Sequence, residues 1–563
     1  MPRRPLTATR SARPTRPDPG PRAVAAMASN ALGPRDGCPR AWSALLAAAL
    51  CAGYVALAPH VPGDKDASEF TLVLATGGVL HPTGYPLYTL LGAAFVRLLH
   101  GLGAGYAFAA NAWAALGGGV AMLLYHRLAL RFLPATSALS RLERFTLAAL
   151  PVALLGLDPV VMVECTVVEV HSWQLAWAFG TALVFTGLVE GLGRAGVHQL
   201  TPRMLGWGVL CGLGGAHHAT SVFLAGALTL ALARALLRAR RFTAQVPLAW
   251  LAGGVVPVLA YAWIAWRPLH PGTSVVWPTL ATTVAGVIAH ATAADYRRYL
   301  GHFAPDEVQA AWLAWYVQPF LWPGLALFAW HAFGSRGARR LVAGALLAAA
   351  LAQTLFAFRY GVGDPDAYFL PGLAIALLAL PALGGAVWPS LRRSRSVAIA
   401  AVALSALGLA AFAANAVLVM RGRQQALAEL DRSIHALWVA IPAERGIVLW
   451  PDDGSYRLQT YQRFRGEKPG LEIVNTASLL NALPRERFRQ RHGFDPLGAL
   501  DEAHRVQPLK PEYVIGEQAN EGDRHAFAVI HEHIAANAGV PVIAFDPPRP
   551  PRPLPRPDAP GER

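Results

Sequence analysis

81-HPTGYPLYTLLGAAFVRLLH-100 decides how the chain is threaded. The stretch from Tyr85 is apolar, but Arg97 and His100 arrive before it reaches the ~20 residues that a bilayer core requires. Counting it as a crossing would also invert every loop that follows. It reads as an amphipathic helix lying on the membrane surface, within a long first outer loop at 60–104. The same loop holds 63-GDKDASEF-70, where Asp66 and Glu69 stand three apart and share one face of a helix. A carboxylate held at a partly dry interface can have a raised pKa and act as a general base. The plainer alternative is a capping acid followed by a solvated loop.

Outward from this loop, apolar runs lie at 41–59, 105–125, 145–162, 173–192, 204–215, 219–237, 245–266, 310–332, 341–358, 369–388 and 396–420. They predict about eleven transmembrane helices, a domain covering 41–420. The runs at 204–215 and 219–237 read as a hairpin with 215-GAHH-218 at its outer tip, or else as one long broken span. Arginines test the threading. Those predicted to be cytoplasmic are Arg127, Arg131, Arg141 and Arg144, then Arg194 and Arg203, then Arg234, Arg238, Arg240 and Arg241. Arg336, Arg339 and Arg340 follow, and then Arg392, Arg393 and Arg395. Every second loop is therefore basic, as a cytoplasmic N-terminus demands, with Arg421 and Arg423 as the exception. Of the acids between 41 and 420, only Glu143 and Glu190 fall on the cytoplasmic side. Carboxylates beside a bilayer tend to mark function, so the working face is outside.

Composition agrees. Hydrophobic residues make up 54% of the 563 and charged residues 15%, against about 25% charged in soluble chains. This excludes a soluble enzyme, a disordered chain and a nucleic-acid reader. The net charge of +15 comes from arginines that punctuate apolar runs, and 46 Arg against 3 Lys fits a GC-rich bacterial genome. Cys38, Cys51, Cys165 and Cys211 are too far apart for a disulfide framework or a zinc knuckle. Residues 1–40 read as a disordered, Arg/Pro-rich cytoplasmic tail, with Met27 as an alternative start, and 546–563 as a disordered Pro/Arg-rich tail. Between them, 421–545 predicts a small extracytoplasmic α/β domain. Its strands are 446-GIVLW-450, 471-LEIVN-475, 513-YVIGE-517 and 541-PVIAF-545, and its helices lie near 423–440 and 525–537. Asp452 and Asp453 follow the first strand, where such sheets bind ligands; capping the next helix is the alternative.

The Asp-x-x-Glu of the first loop, followed by His-Pro-x-Gly-Tyr-Pro-Leu-Tyr, resembles a bacterial family of multi-span proteins long treated as a domain of unknown function. Its animal relatives include a protein O-mannosyltransferase acting on plexin and receptor-kinase ectodomains, and it belongs to the GT-C class of glycosyltransferases. Ser68 stands where the usual form has Gly, and Thr83 where it has Pro. Further elements follow in order over about 60–380: 164-ECTVVEVHSWQL-175, 214-GGAHHATS-221, 266-WRPLHPGTSVVWP-278 with 290-HATAADYRRYLG-301, and 360-YGVGDPDAYFLPG-372. All land on the expected outer face.

The resemblance implies a membrane glycosyltransferase of the bacterial cytoplasmic membrane. It would move mannose or a similar sugar, with inversion, from a polyprenyl-phosphate donor to an extracytoplasmic protein Ser/Thr, polysaccharide or lipid. By analogy with the first-loop acid of the class, Asp66 is the base, with Glu69 or Asp64 as alternates. His290, Arg297, Arg298 and Arg267 would neutralise the departing phosphate, the alternative for the arginines being lipid headgroups. His81, Tyr85, Glu169, His171, His217, His218, Trp277, Asp364, Asp366 and Tyr368 would line the substrate pocket. One of His217 and His218 has a packed, hydrogen-bonded position as its plainer reading, and Trp173 and Trp277 could stack on a sugar or belong to an interface belt. The acids leave room for a divalent metal, although no ligand spacing argues for one. Expected partners are membrane lipids, the donor and the acceptor, with no nucleic acid. The competing reading is a polyprenyl-linked lipid or sugar transporter or flippase, for which inverted repeats and midplane charges are the signature; neither is evident. A non-catalytic scaffold, for which the first-loop carboxylates are dispensable, is the third.

Overall fold

Apolar runs dictate helices in this chain, since a backbone in lipid has to satisfy its own hydrogen bonds. The computed structural model describes residues 38–555 except 65, 135–138, 193–196, 304, 362–364 and 501–520. Eight helices are long and apolar enough to cross a membrane: Arg40–Leu57, Tyr106–Phe132, His171–Gly191, Ser221–Arg238, Gln245–Leu269, Gly337–Ala357, Ala367–Leu391 and Arg395–Val439. Arg141–Gly156 and Pro159–Thr166, bent by 72° at their junction, make a ninth if taken as one span. The bend has a local cause: Asp158 caps the second segment through Val160 N–H, and Pro159 opens it.

The two remaining expected spans are helical as well. Val197–Gly215 has 19 residues, and Gln318–Gly334 has 17 and follows a π turn at Leu313–Val317. Neither qualifies alone as a crossing by length and composition, so the described residues give eight or nine candidate spans against the eleven expected. The chain is thus a multi-span helical membrane protein.

The decisive stretch forms a helix at Pro86–Gly101, 16 residues long, opened by Pro86. Tyr88, Gly92, Ala93 and Val96 are buried against the protein, while Leu91 and Leu98 are exposed on the other side. Apolar residues on both faces suit a helix wedged between protein and lipid, and its length does not suit a span. Just upstream, Asp66–Thr76 is buried continuously from Ala67 to Leu74, as a helix packed on all sides must be. The connection between the two helices bridges Val79 to Val276, with Val79 N–H donating to the Val275 carbonyl. Gly78 permits this approach, since a Cβ there would lie 1.7 Å from the Val275 oxygen.

The span expected to end at 420 and the helix expected at 423–440 are one element, Arg395–Val439, of 45 residues. At 1.5 Å per residue it is roughly 68 Å long and outruns a ~30 Å bilayer core, so Arg421 and Arg423 lie inside a continuous helix that leads on to the last domain. There β1 (Arg445–Trp450) pairs in parallel with β2 (Gly470–Asn475) and with β3 (Val542–Ala544), and β4 (Arg552–Pro553) runs antiparallel to β3. The sheet order is β2-β1-β3-β4. Residues 552–553 therefore correct the expectation of a disordered tail from 546, because their backbone completes the sheet edge. The expected strand at 513–517 lies outside the described residues.

Arg457, almost fully buried on the helix Ser455–Arg465, fastens this domain down. It donates to Asp431 of the long helix at 3.2 Å and to the Gly63 carbonyl of the first loop at 2.6 Å.

Candidate active site

The helix Asp66–Thr76 starts where the Asp64 carbonyl accepts from Ala67 N–H. Ser68, standing where the resembled motif has Gly, closes the turn by donating its hydroxyl to the Gly63 carbonyl at 2.7 Å. Asp66 and Glu69 fall in the first turn, where the helix dipole favours carboxylates. Their surroundings then diverge. The Glu69 side chain is 2% exposed and accepts both from His81 N–H and from His81 Nδ1–H, each at 2.8 Å. Asp66 is 43% exposed, with Oδ2 4.0 Å from His81 Nε2. The Tyr85 hydroxyl lies 3.2 Å from the same nitrogen.

Burial alone would lower the His81 pKa, but the Glu69 and Asp66 carboxylates outweigh it and carry the imidazole up to about 9. At neutral pH the arrangement is an imidazolium clasped by buried Glu69, with Asp66 beside it and open. Burial pushes Glu69 itself upward against the pull of His81.

Asp66, His81 and Tyr85 line a narrow cavity of about 50 Å³ together with Glu169, His171, His218 and Tyr368, all expected in the site. His171 and Tyr368 meet edge to face at 5.3 Å, and the Tyr85 and His218 rings lie 5.5 Å apart. Burial keeps His218 well below the usual imidazole range, so it is neutral and spends Nδ1 on the Thr220 hydroxyl at 2.8 Å. His217 is turned aside to the Val170 carbonyl at 3.2 Å, the packed position foreseen for one of the pair. Trp277 stands behind His81, ring centroids 5.8 Å apart and nearly edge-on. Trp173, half-buried, packs on Trp113 and donates to its carbonyl, which sets it against the core.

The cations expected to meet a phosphate are not gathered here. His290 is buried, bonded to the Leu80 carbonyl at 3.0 Å, and lowered by burial to about 4. It is neutral packing beneath the His81–Tyr85 turn, not a cationic donor. Arg267 donates to the Gly77 and His270 carbonyls, each at 2.9 Å, so it braces the loops. Arg297 is exposed and absent from the cavity lining. The Arg298 side chain and Asp364 lie outside the described residues. Asp366 is half-buried and Asp64 exposed, neither of them in the cavity wall.

Four residues beyond the expected pocket belong to this neighbourhood, one of them Asp453, the ligand-binding candidate of the α/β domain. Tyr296 and Tyr360 line the cavity. Both sit inside the motifs quoted for the resemblance, and their aromatic character was the available signal. Asp453 arrives from the C-terminal domain. Its carboxyl is pushed well above the usual range by burial and then by the Asp66, Glu69 and Asp452 charges, which places it in the same cluster. Tyr456, three residues on, stacks on Trp277 with centroids 6.4 Å apart. Nothing in the sequence pairs residue 453 with residue 66; only the docked domain does.

One ligand atom each from Asp66, Glu69 and His81 lies within 4.8 Å of the others, close enough to hold a metal ion. The hydrogen bonds already joining Glu69 to His81 satisfy two of those three donors, and a cation would have to displace the His81 proton.

No curated protein matches the chain significantly. Among solved structures it is similar to ArnT from Cupriavidus metallidurans bound to undecaprenyl phosphate, at 16% identity over 90% of this chain and 93% of that one, with a TM-score of 0.48. The apo state of the same protein gives 16% identity over 90% and 92%, with a TM-score of 0.44. The Archaeoglobus fulgidus oligosaccharyltransferase in complex with Zn and sulfate gives 14% identity over 77% and 62%, with a TM-score of 0.42. No residue role is carried over from them. A family profile does reach the site: residues 66–240 match the protein O-mannosyl-transferase TMEM260 N-terminal domain, a segment that opens on Asp66 and includes Glu69, His81, Tyr85, Glu169, His171 and His218. The segment that carries the first-loop motif is thus similar to the N-terminal domain of a protein O-mannosyl-transferase, as the motif's own resemblance leads one to expect.

Proposed function

We propose that the protein is a membrane glycosyltransferase that moves a sugar, mannose first among candidates, from a polyprenyl-phosphate donor to a hydroxyl of an extracytoplasmic acceptor. The observation that carries this reading is the pairing of an open carboxylate, Asp66, with a buried imidazolium, His81, in one cavity.

The acceptor hydroxyl gives its proton to the Asp66 carboxylate as its oxygen bonds to the anomeric carbon. The bond from that carbon to the phosphate oxygen breaks, and the electron pair leaves with the polyprenyl phosphate. Attack from the face opposite the phosphate inverts the anomeric centre. His81 brings a fixed positive charge into the cavity, available to an anionic leaving group, where preorganised charge is most effective. Glu69 orients that imidazole and does not touch substrate. At about 50 Å³ the cavity is narrower than a hexose, so donor binding parts the tyrosine wall around it.

Orientation follows from the alternation of arginines: N-terminus in the bacterial cytoplasm, with the cavity and the α/β domain outside. The test is transfer by purified protein in lipid nanodiscs, given radiolabelled polyprenyl-phosphate mannose, glucose or arabinose together with periplasmic extract. Label in an acceptor supports the proposal. Donor binding without transfer from any of the three overturns it in favour of the flippase.

A further inference from the structure

A second cavity, of about 310 Å³, lies at the seam between the membrane domain and the α/β domain. Ligand pockets begin at about this size. One wall is the segment 274–276, which is bridged to Val79 just ahead of His81. The opposite wall is 472–475, the last four residues of β2. β2 is the edge of the sheet, with β1 on one side and, among the described residues, no strand on the other. An edge strand offers unpaired main-chain donors and acceptors at strand spacing, the template on which an extended peptide adds itself.

The charge of the seam is one-sided. Arg487 and Arg491, four apart on one face of the helix Ala482–His492, line it together with Arg463. Arg463 and Arg487 each spend an N–H on a loop carbonyl, of Thr273 and Pro278. Among the described residues Glu472 is the one carboxylate of the lining, and it is already bonded by Arg491 and His492. Guanidinium groups with donors to spare select carboxylates. The seam also communicates with the catalytic cluster, because Asn475 in its wall donates to Asp453 at 2.9 Å.

We propose that this seam is the acceptor site, and that it takes an extended, acidic segment of polypeptide laid along β2, its carboxylates on Arg487 and Arg491 and a hydroxyl carried on toward Asp66. The inference deepens the transferase reading and rests on it. A sheet edge favours a peptide over an anionic glycan, which has no main-chain N–H ladder to match.

The full-length protein in nanodiscs is titrated with a fluorescent acidic peptide rich in Ser and Thr, with the same peptide N-methylated at alternate residues, with a basic counterpart and with a carboxylated oligosaccharide. A benzophenone form of the acidic peptide maps the contact by mass spectrometry. The acidic peptide should bind, weaken with salt, and cross-link to 470–491 or 274–278. N-methylation, and separately Arg487→Gln or Arg491→Gln, should each weaken it about tenfold. Equal binding of the N-methylated peptide, cross-links elsewhere, or preference for the oligosaccharide would overturn the proposal. Failure of the two readings is separable. Transfer of label without peptide at the seam removes this inference alone, and a peptide-binding seam without transfer from any donor removes the transferase.

Discussion

Asp66 and Glu69 are spaced alike in sequence and differ in fate because one faces a cavity and the other faces His81. Asp66→Asn should lower transfer by roughly 10²–10⁴, the range for a lost general base, with little effect on stability because the side chain is 43% exposed. Glu69→Gln should instead cost about 3–5 kcal/mol, the penalty for breaking a buried pair, read as a drop in Tm. The pH dependence has a definite sign. His81 has a folded pKa raised to about 9, so its contribution to stability is full below its ordinary 6.5 and is lost as pH rises through 9. A Tm profile across that window checks this, and Glu69→Gln should flatten it. At this scale the sequence reveals the acids through their three-residue spacing. It does not reveal that His81 is the partner, because the contact depends on the turn between the two first-loop helices. Nor does it distinguish His290, which is neutral packing, from His81, which is charged: burial and nearby carboxylates decide, and neither is written in residue type.

Elements were legible where hydrophobic period and length speak directly. All eleven apolar runs are helical, and Pro86–Gly101, at 16 residues, is short for a crossing. The boundary at 420 was illegible, since a helix leaving the bilayer changes its side chains without changing its backbone. Two substitutions probe the turn that carries His81. Gly78→Ala forces a Cβ against the Val275 oxygen and should destabilise the protein by about 1–3 kcal/mol, with transfer falling alongside. Thr83, buried where the resembled motif has Pro, carries a hydroxyl with no hydrogen-bond partner among the described residues. Thr83→Val should therefore be neutral or raise Tm, since it removes an unsatisfied group at equal volume.

Across the whole molecule, the α/β domain packs against the back of the site, whose cavity is lined by the membrane domain. Asp453 joins the carboxylate cluster, Tyr456 backs Trp277, and Arg457 ties Gly63 to Asp431. Arg457→Met should loosen the docking, open the stretch between the long helix and β1 to proteolysis, and reduce transfer even though no substrate-facing group has changed. That domain could be read from its strands, but its contribution to the site could not, because the contacts join residues nearly 400 positions apart. The account as a whole stands on one carboxylate, and one measurement tests it most directly. Wild type and Asp66→Asn, each loaded in nanodiscs with labelled polyprenyl-phosphate mannose, are compared for donor bound and label transferred in the same sample. The account predicts equal donor binding with transfer lowered at least about a hundredfold in the variant. Transfer by Asp66→Asn at the wild-type rate would contradict it.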